Sequence, residues 1–212
     1  MPTSSMRGPW FTVLCMLLFG LFLIRNGSAD PVGAPPQPTA VTASPRPDPA
    51  TRPRPHAPAP LPHTAPLRIR IPDAAVDAPL TKVGLDPDGW ITAPPQRDGN
   101  VAGWYSGSVG PGERGTSVVV GHVDNKAGPA VFYALGALKR NARVEVRRGD
   151  GRTALFAVYA VKMFAQKSFP ADQVYADTDA AELRLITCGG DYTKESGYEA
   201  NVVAYARLTA IR

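Results

Sequence analysis

From residue 67 onward the chain alternates short apolar or period-two runs with turns rich in Gly, Pro and Asp. Leu67-Arg68-Ile69-Arg70-Ile71 and Val144-Glu145-Val146 alternate apolar and polar positions, the pattern of a strand with one face buried. Further runs at 80–83, 117–121, 143–147, 155–163, 182–187 and 201–208 read as strands. Asp86-Pro87-Asp88-Gly89, Gly110-Pro111-Gly112 and Gly149-Asp150-Gly151 mark turns between them. Helical pattern is scarce: a stretch at 130–138 and one turn near 170–174. Seven or eight short strands at this spacing predict an all-β domain closed, or nearly closed, into a barrel.

The first 66 residues follow a different pattern. After Arg7 an uncharged apolar run extends from Trp10 to Ile24, and Arg25 follows. It is shorter than the roughly 20 residues of a bilayer-spanning helix. The segment 1–29 therefore reads as a targeting segment. Leu21, Phe22, Leu23 and Ile24 favour a retained membrane anchor, and the small residues Gly27, Ser28 and Ala29 leave cleavage and secretion open. Arg7 sets the cytoplasmic side, so the remainder is exported. Residues 30–66 carry 13 prolines. They cannot bury enough apolar area to offset ordering entropy, and read as an extended, disordered stalk. His56 and His63 fall in it and read as solvated. The expected organisation is 1–29 anchor or signal, 30–66 stalk and 67–212 folded domain.

Composition narrows the function classes. The net charge of +5 comes largely from the tail and stalk, since 67–212 holds 18 Lys and Arg against 16 Asp and Glu. No concentrated basic face supports nucleic-acid binding. Segment 110–116 lacks the lysine and following helix of a phosphate-binding loop. Lys139-Arg140 and Arg147-Arg148 read as solvated charge. Too few ligand-type residues cluster for a zinc site, and the loose acidic group Asp172, Asp177, Asp179 and Glu182 predicts no calcium site. No metal or cofactor is expected.

Chemistry concentrates at two strand ends. The domain has one histidine, His122, after the β-branched run Ser117-Val118-Val119-Val120-Gly121, and one cysteine, Cys188, after Leu185-Ile186-Thr187. An exported domain with one cysteine has no internal disulfide, so the thiol is either inertly buried or used. Thiol catalysis needs a thiolate, commonly made by a neighbouring imidazole. Two strands ending on one rim bring such a pair together. Gly189-Gly190 is expected to break the second strand and to turn backbone N–H groups toward an acyl oxygen. Thr187 and Gly121 neighbour the pair. Asp124 either orients His122 or ends its strand. Trp104-Tyr105 reads as core.

At these residues the sequence resembles the sortases, the cysteine transpeptidases of Gram-positive cell surfaces. Leu185-Ile186-Thr187-Cys188 is similar to their cysteine strand, with Arg184 where a threonine is usual. Gly121-His122 is similar to their histidine motif. Ile71-Pro72, Val76-Asp77-Ala78-Pro79, Gly103-Trp104-Tyr105, Gly121-His122-Val123-Asp124, Cys188-Gly189-Gly190 and Tyr198 with Asn201-Val202-Val203 resemble the actinobacterial class F type. The resemblance implies an eight-stranded sortase-type barrel with short helices, membrane-anchored at the cell surface. It implies a nucleophile, Cys188, that cleaves a Leu-Pro-x-Thr-Gly-like signal near the C-terminus of a secreted protein through a thioester. An amine of a peptidoglycan precursor or another protein is the acceptor. His122 is the acid and base.

The family's substrate-holding arginine is missing between Cys188 and Arg207. Asn201 falls at its position, and Lys194 offers a cation from the preceding loop. This departure motivates the alternative of a catalytically weak, sortase-like module that binds cell-wall peptides. L,D-transpeptidases, which carry His-Gly-Cys together, fit less well, because His122 and Cys188 lie 66 residues apart.

Overall fold

The computed structural model describes Met16, residues 33–38 and residues 58–212. Apart from Met16, the apolar run at 10–24 lies outside the described residues, as does most of the stalk. Among the described residues no helix is long and apolar enough to cross a membrane.

Eight strands close into a barrel: β1 (Pro66–Ile71), β2 (Val76–Val83), β3 (Ala102–Tyr105), β4 (Gly115–Val120), β7 (Arg143–Arg148), β8 (Thr153–Ala165), β9 (Ala181–Thr193) and β10 (Gly197–Ile211). Their order around the barrel is β1-β2-β3-β4-β9-β10-β8-β7, and β7 pairs back onto β1. The short strands β5 (Asp124–Asn125) and β6 (Gly128–Pro129) form a separate hairpin. Most pairs are antiparallel, but β2–β3 and β4–β9 run parallel.

Alternation decides what fills the barrel. Ile69 and Ile71, Val144 and Val146, and Leu183 and Leu185 point inward and are fully buried. The intervening positions of β4, β9 and β10 face outward and build a second apolar layer of Val118, Val120, Ile186, Val203 and Tyr205. The segment after β8 covers it through Val174, with Phe169 and Tyr175 packed against its edge. Burying both faces of β4 explains its unbroken apolar reading, which is typical of a strand without a solvent side.

Three expectations are corrected. The 130–138 stretch is not an α-helix: successive i to i+3 hydrogen bonds make tight turns ending in a 3-10 turn at Leu135–Ala137. Phe132, Leu135 and Leu138 are all buried at a spacing of three, the side-chain period of that tighter winding. Gly189-Gly190 does not end its strand, because β9 continues to Thr193 and absorbs one extra residue against β10. Arg148 is not solvated. Alternation turns it inward at the barrel's end, where it is fully buried and donates to the carbonyls of Pro111 and Pro62 and to Asp150.

Arg148 also helps hold residues 58–65, which composition places in the stalk. Leu61 is buried and its amide donates to the Gly112 carbonyl at 2.8 Å. His63 pairs with Glu113 through Nδ1, and its ring centroid lies 6.3 Å from that of Trp104. The chain thus enters β1 along a fixed path.

Candidate active site

The parallel ladder between β4 and β9 sets the site. Val118 lies beside Arg184, Val119 beside Leu185 and Val120 beside Ile186. The Gly121 amide then donates to the Ile186 carbonyl at 3.0 Å, carrying the pairing one step past β4. Two residues beyond the Val120–Ile186 pair come His122 on one side and Cys188 on the other. Val118, Val120 and Ile186 face outward, so Cys188, two residues on from Ile186 within β9, shares that outer face, and His122 follows β4 two residues after Val120. Both are half-buried.

Local packing fixes the histidine. The Phe132 amide donates to the His122 carbonyl at 3.0 Å. The ring's Nε2 lies 2.6 Å from the Pro94 carbonyl. A carbonyl only accepts, so Nε2 carries a hydrogen, and in the neutral ring Nδ1 is the base. Asp124 does not take the orienting role: its carboxylate accepts from the Tyr198 hydroxyl instead. Burial, and then Asp124, push the Tyr198 hydroxyl far above its ordinary range.

Cys188 stands opposite Asn201 in the antiparallel β9–β10 ladder. Directly opposed residues share a face, with Cβ atoms about 5 Å apart, so the Asn201 and Cys188 side chains leave the sheet as neighbours. Burial, and secondly the Asp124 carboxylate, push the Cys188 thiol up. The site at rest therefore favours thiol over thiolate. Thr187 pairs with Val202, which faces the barrel interior, and its buried hydroxyl has no hydrogen-bond partner. It supports the strand from inside. Lys194 sits in the exposed turn between β9 and β10, six residues beyond Cys188.

Two arginines on the outer face are committed elsewhere. Arg184 donates to the Val174 carbonyl and to Glu182, and stacks 4.6 Å from the Tyr205 ring centre. Arg207 stacks 4.5 Å from the Tyr159 ring centre. Burial pushes the Tyr159 hydroxyl up to about 12, and it donates to Glu182. Of the acidic residues before β9, Asp177 accepts from the Thr116 amide and Asp179 pairs with Arg114.

The site holds groups that sequence reasoning missed. Tyr198 was visible only as part of the resemblance, with no partner assigned. The Pro94 carbonyl and Gln37, whose Oε1 accepts from the Gly190 amide at 3.1 Å, carry no local signal.

A cysteine within β9 and a histidine two residues past the end of the parallel neighbour β4, in an eight-stranded barrel, agree with the comparison to known families: the family model of the sortase domain matches residues 69–209. The chain belongs to the sortase family. Among solved structures, sortases share its fold at low identity. The SrtA sortase from Actinomyces oris is 18% identical, with a TM-score of 0.53 over 75% of this chain and 89% of that one. Sortase A of Listeria monocytogenes is 17% identical, with a TM-score of 0.51 over 71% and 90%. Sortase A from Corynebacterium diphtheriae, as a lid mutant, is 17% identical, with a TM-score of 0.53 over 71% and 73%. No curated protein sequence matches the chain. Sortases are cysteine transpeptidases of Gram-positive cell surfaces.

Proposed function

We propose that this sortase, of the class F type, cleaves a Leu-Pro-x-Thr-Gly-like signal of a secreted protein at Cys188 and transfers the acyl group to an amine. The observation that supports this reading is the β4–β9 parallel pairing, whose register runs to Val120–Ile186, two residues short of His122 on one side and Cys188 on the other. The apolar layer of Val118, Val120, Ile186 and Val203 is itself buried under the segment after β8, and so backs the strands that carry the site.

Attack of the Cys188 sulfur on the peptide carbonyl forms the carbon–sulfur bond. The thiol proton passes to His122 and on to the departing amine as the amide carbon–nitrogen bond breaks. A second amine then attacks the thioester, gives its proton to His122 and releases the thiol. The tetrahedral oxyanion needs donors. Asn201 beside Cys188 supplies a neutral amide where the family has an arginine, and Lys194 lies too far along the hairpin to share that task. The acceptor is an amine of a cell-wall peptide or of another surface protein. The apolar run at 10–24 anchors the enzyme in the membrane.

Incubation of the full chain with a library of peptides bearing sorting-type signals, with hydroxylamine as acceptor, tests the reading by mass spectrometry. Hydroxamates of one signal class, lost in Cys188→Ala, are the expected result. Binding without any acyl product would instead establish a cell-wall peptide-binding module.

A further inference from the structure

The short segment Pro35–Pro38 lies against the barrel's rim next to the cysteine. Its composition offers no core of its own, yet Pro35 is buried. Gln37 Oε1 accepts from the Gly190 amide at 3.1 Å, while Gln37 Nε2 donates to the Pro35 carbonyl at 2.9 Å. The Pro36 carbonyl passes over the 3-10 turn Leu135–Ala137 at very short range. A Cβ added to Gly136 would stand 2.0 Å from the Pro36 oxygen and 3.0 Å from its carbon. Gly136 has no positive φ, so the turn itself would accept other residues. The close approach of a second backbone is what requires glycine there.

The other side of the contact is prepared independently. Between the Ala200–Gly189 and Tyr198–Tyr192 pairs, β9 carries one residue more than β10, and Gly190 sits at φ +79°. Such a bulge turns a backbone amide off the ladder, leaving the Gly190 N–H free to meet an oxygen from outside the sheet. A proline-rich segment suits this arrangement. It offers carbonyls and few donors, and its fixed φ angles lower the entropy lost on docking.

We infer that the rim between Gly136 and Gly189-Gly190 is a peptide-binding site for extended, proline-containing chain, recognised through carbonyl oxygens, and that the enzyme's own Pro35–Pro38 segment fills it. The inference builds on the reading of Cys188 as nucleophile. The Gly190 N–H is a donor two residues from the thiol, and while Gln37 holds it no arriving peptide uses it. The segment competes in cis with any peptide that approaches the cysteine from this flank.

The test uses the full chain and a variant carrying Pro35→Ser, Pro36→Gly, Gln37→Ser and Pro38→Gly, changes that leave the barrel untouched. Two signals are read: the Gly190 amide resonance, and the rate of Cys188 alkylation by iodoacetamide. The variant is expected to shift the resonance and to be alkylated several-fold faster. The synthetic peptide acetyl-Ala-Pro-Pro-Gln-Pro-Thr-amide, added to the variant, should restore both in a saturable way. The same peptide with Ala in place of Gln should not. An unmoved Gly190 resonance, an unchanged alkylation rate or a peptide that fails to bind the emptied rim overturns the inference. Neither signal depends on acyl transfer. A chain inactive on every sorting-type peptide, but showing these responses, sinks the proposed function and leaves the site standing.

Discussion

Gly121 is the point where packing around the imidazole has least slack. It has no positive φ, so an alanine there meets no backbone strain. It meets side chains instead: the added Cβ would stand 2.6 Å from Phe132 Cδ2, 2.7 Å from Val131 Cγ1 and 3.0 Å from Phe132 Cε2. Carbon atoms rest at about 3.5–4.0 Å, so the loop carrying Val131 and Phe132 must retreat by about 1 Å. Phe132 is fully buried, and its amide bonds the His122 carbonyl. The retreat therefore reaches the histidine's own backbone. Overpacking of this kind costs about 1–3 kcal/mol. At about 2 kcal/mol the melting temperature of a domain this size falls by about 4–8 °C. A misplacement of about 1 Å at a reacting group costs up to about 100-fold in rate. Calorimetry and hydroxamate formation by Gly121→Ala measure the two effects. Phe132→Leu should couple to it, the double variant losing less than the sum of the singles. A Gly121→Ala enzyme with the parent's melting temperature and rate refutes the claim that this contact positions His122.

Other outcomes follow from the same geometry. Cys188→Ala should abolish thioester formation in a mass-spectrometric trapping assay and leave the thermal unfolding curve nearly unchanged. Asn201→Ala should lower the acyl-transfer rate by about 10²–10³, while Lys194→Ala should leave it near the parent's; the reverse ranking moves the oxyanion donor to the hairpin turn. Because burial and then Asp124 raise the thiol's pKa, the folded state holds the proton more tightly than the unfolded chain. Cys188 alkylation should accordingly rise with pH through a midpoint above the ordinary thiol range. Asp124→Asn removes a like-signed neighbour of the thiolate, so its midpoint should move to lower pH; no movement means that the carboxylate does not act on the sulfur. Arg148→Ala strips three partners from a fully buried guanidinium and frees the Pro62 carbonyl, and should cost about 3–5 kcal/mol in urea unfolding.

The strands were legible because alternation is local. Ile69 and Ile71, or Val144 and Val146, announce a buried face without knowledge of any partner. The cysteine and histidine were legible because each is alone in the domain and stands where an apolar run stops. β3 was harder: four residues with a glycine among them carry too little pattern, though Trp104 did read as core. Arg148 misled because a charged residue after Arg147 looks solvated until the strand's period is carried one step further. The β9 bulge was hidden because Gly189-Gly190 reads equally as a strand break. The ordering of 33–38 and 58–65 was invisible for a deeper reason. A proline-rich segment has no core of its own, so whether it docks is decided by surfaces elsewhere in the fold, here Gly136, Gly190 and Arg148.

The parallel pairing of β4 with β9 has a consequence for when the chemistry begins. No fragment shorter than the stretch from His122 to Cys188 contains both groups, and that stretch must loop around before they meet. Contacts of such long range form late. A newly made chain thus carries an ordinary thiol, and on the proposed reading the imidazole that would turn it to acyl transfer joins it only with barrel closure, so incompletely folded copies cannot catalyse.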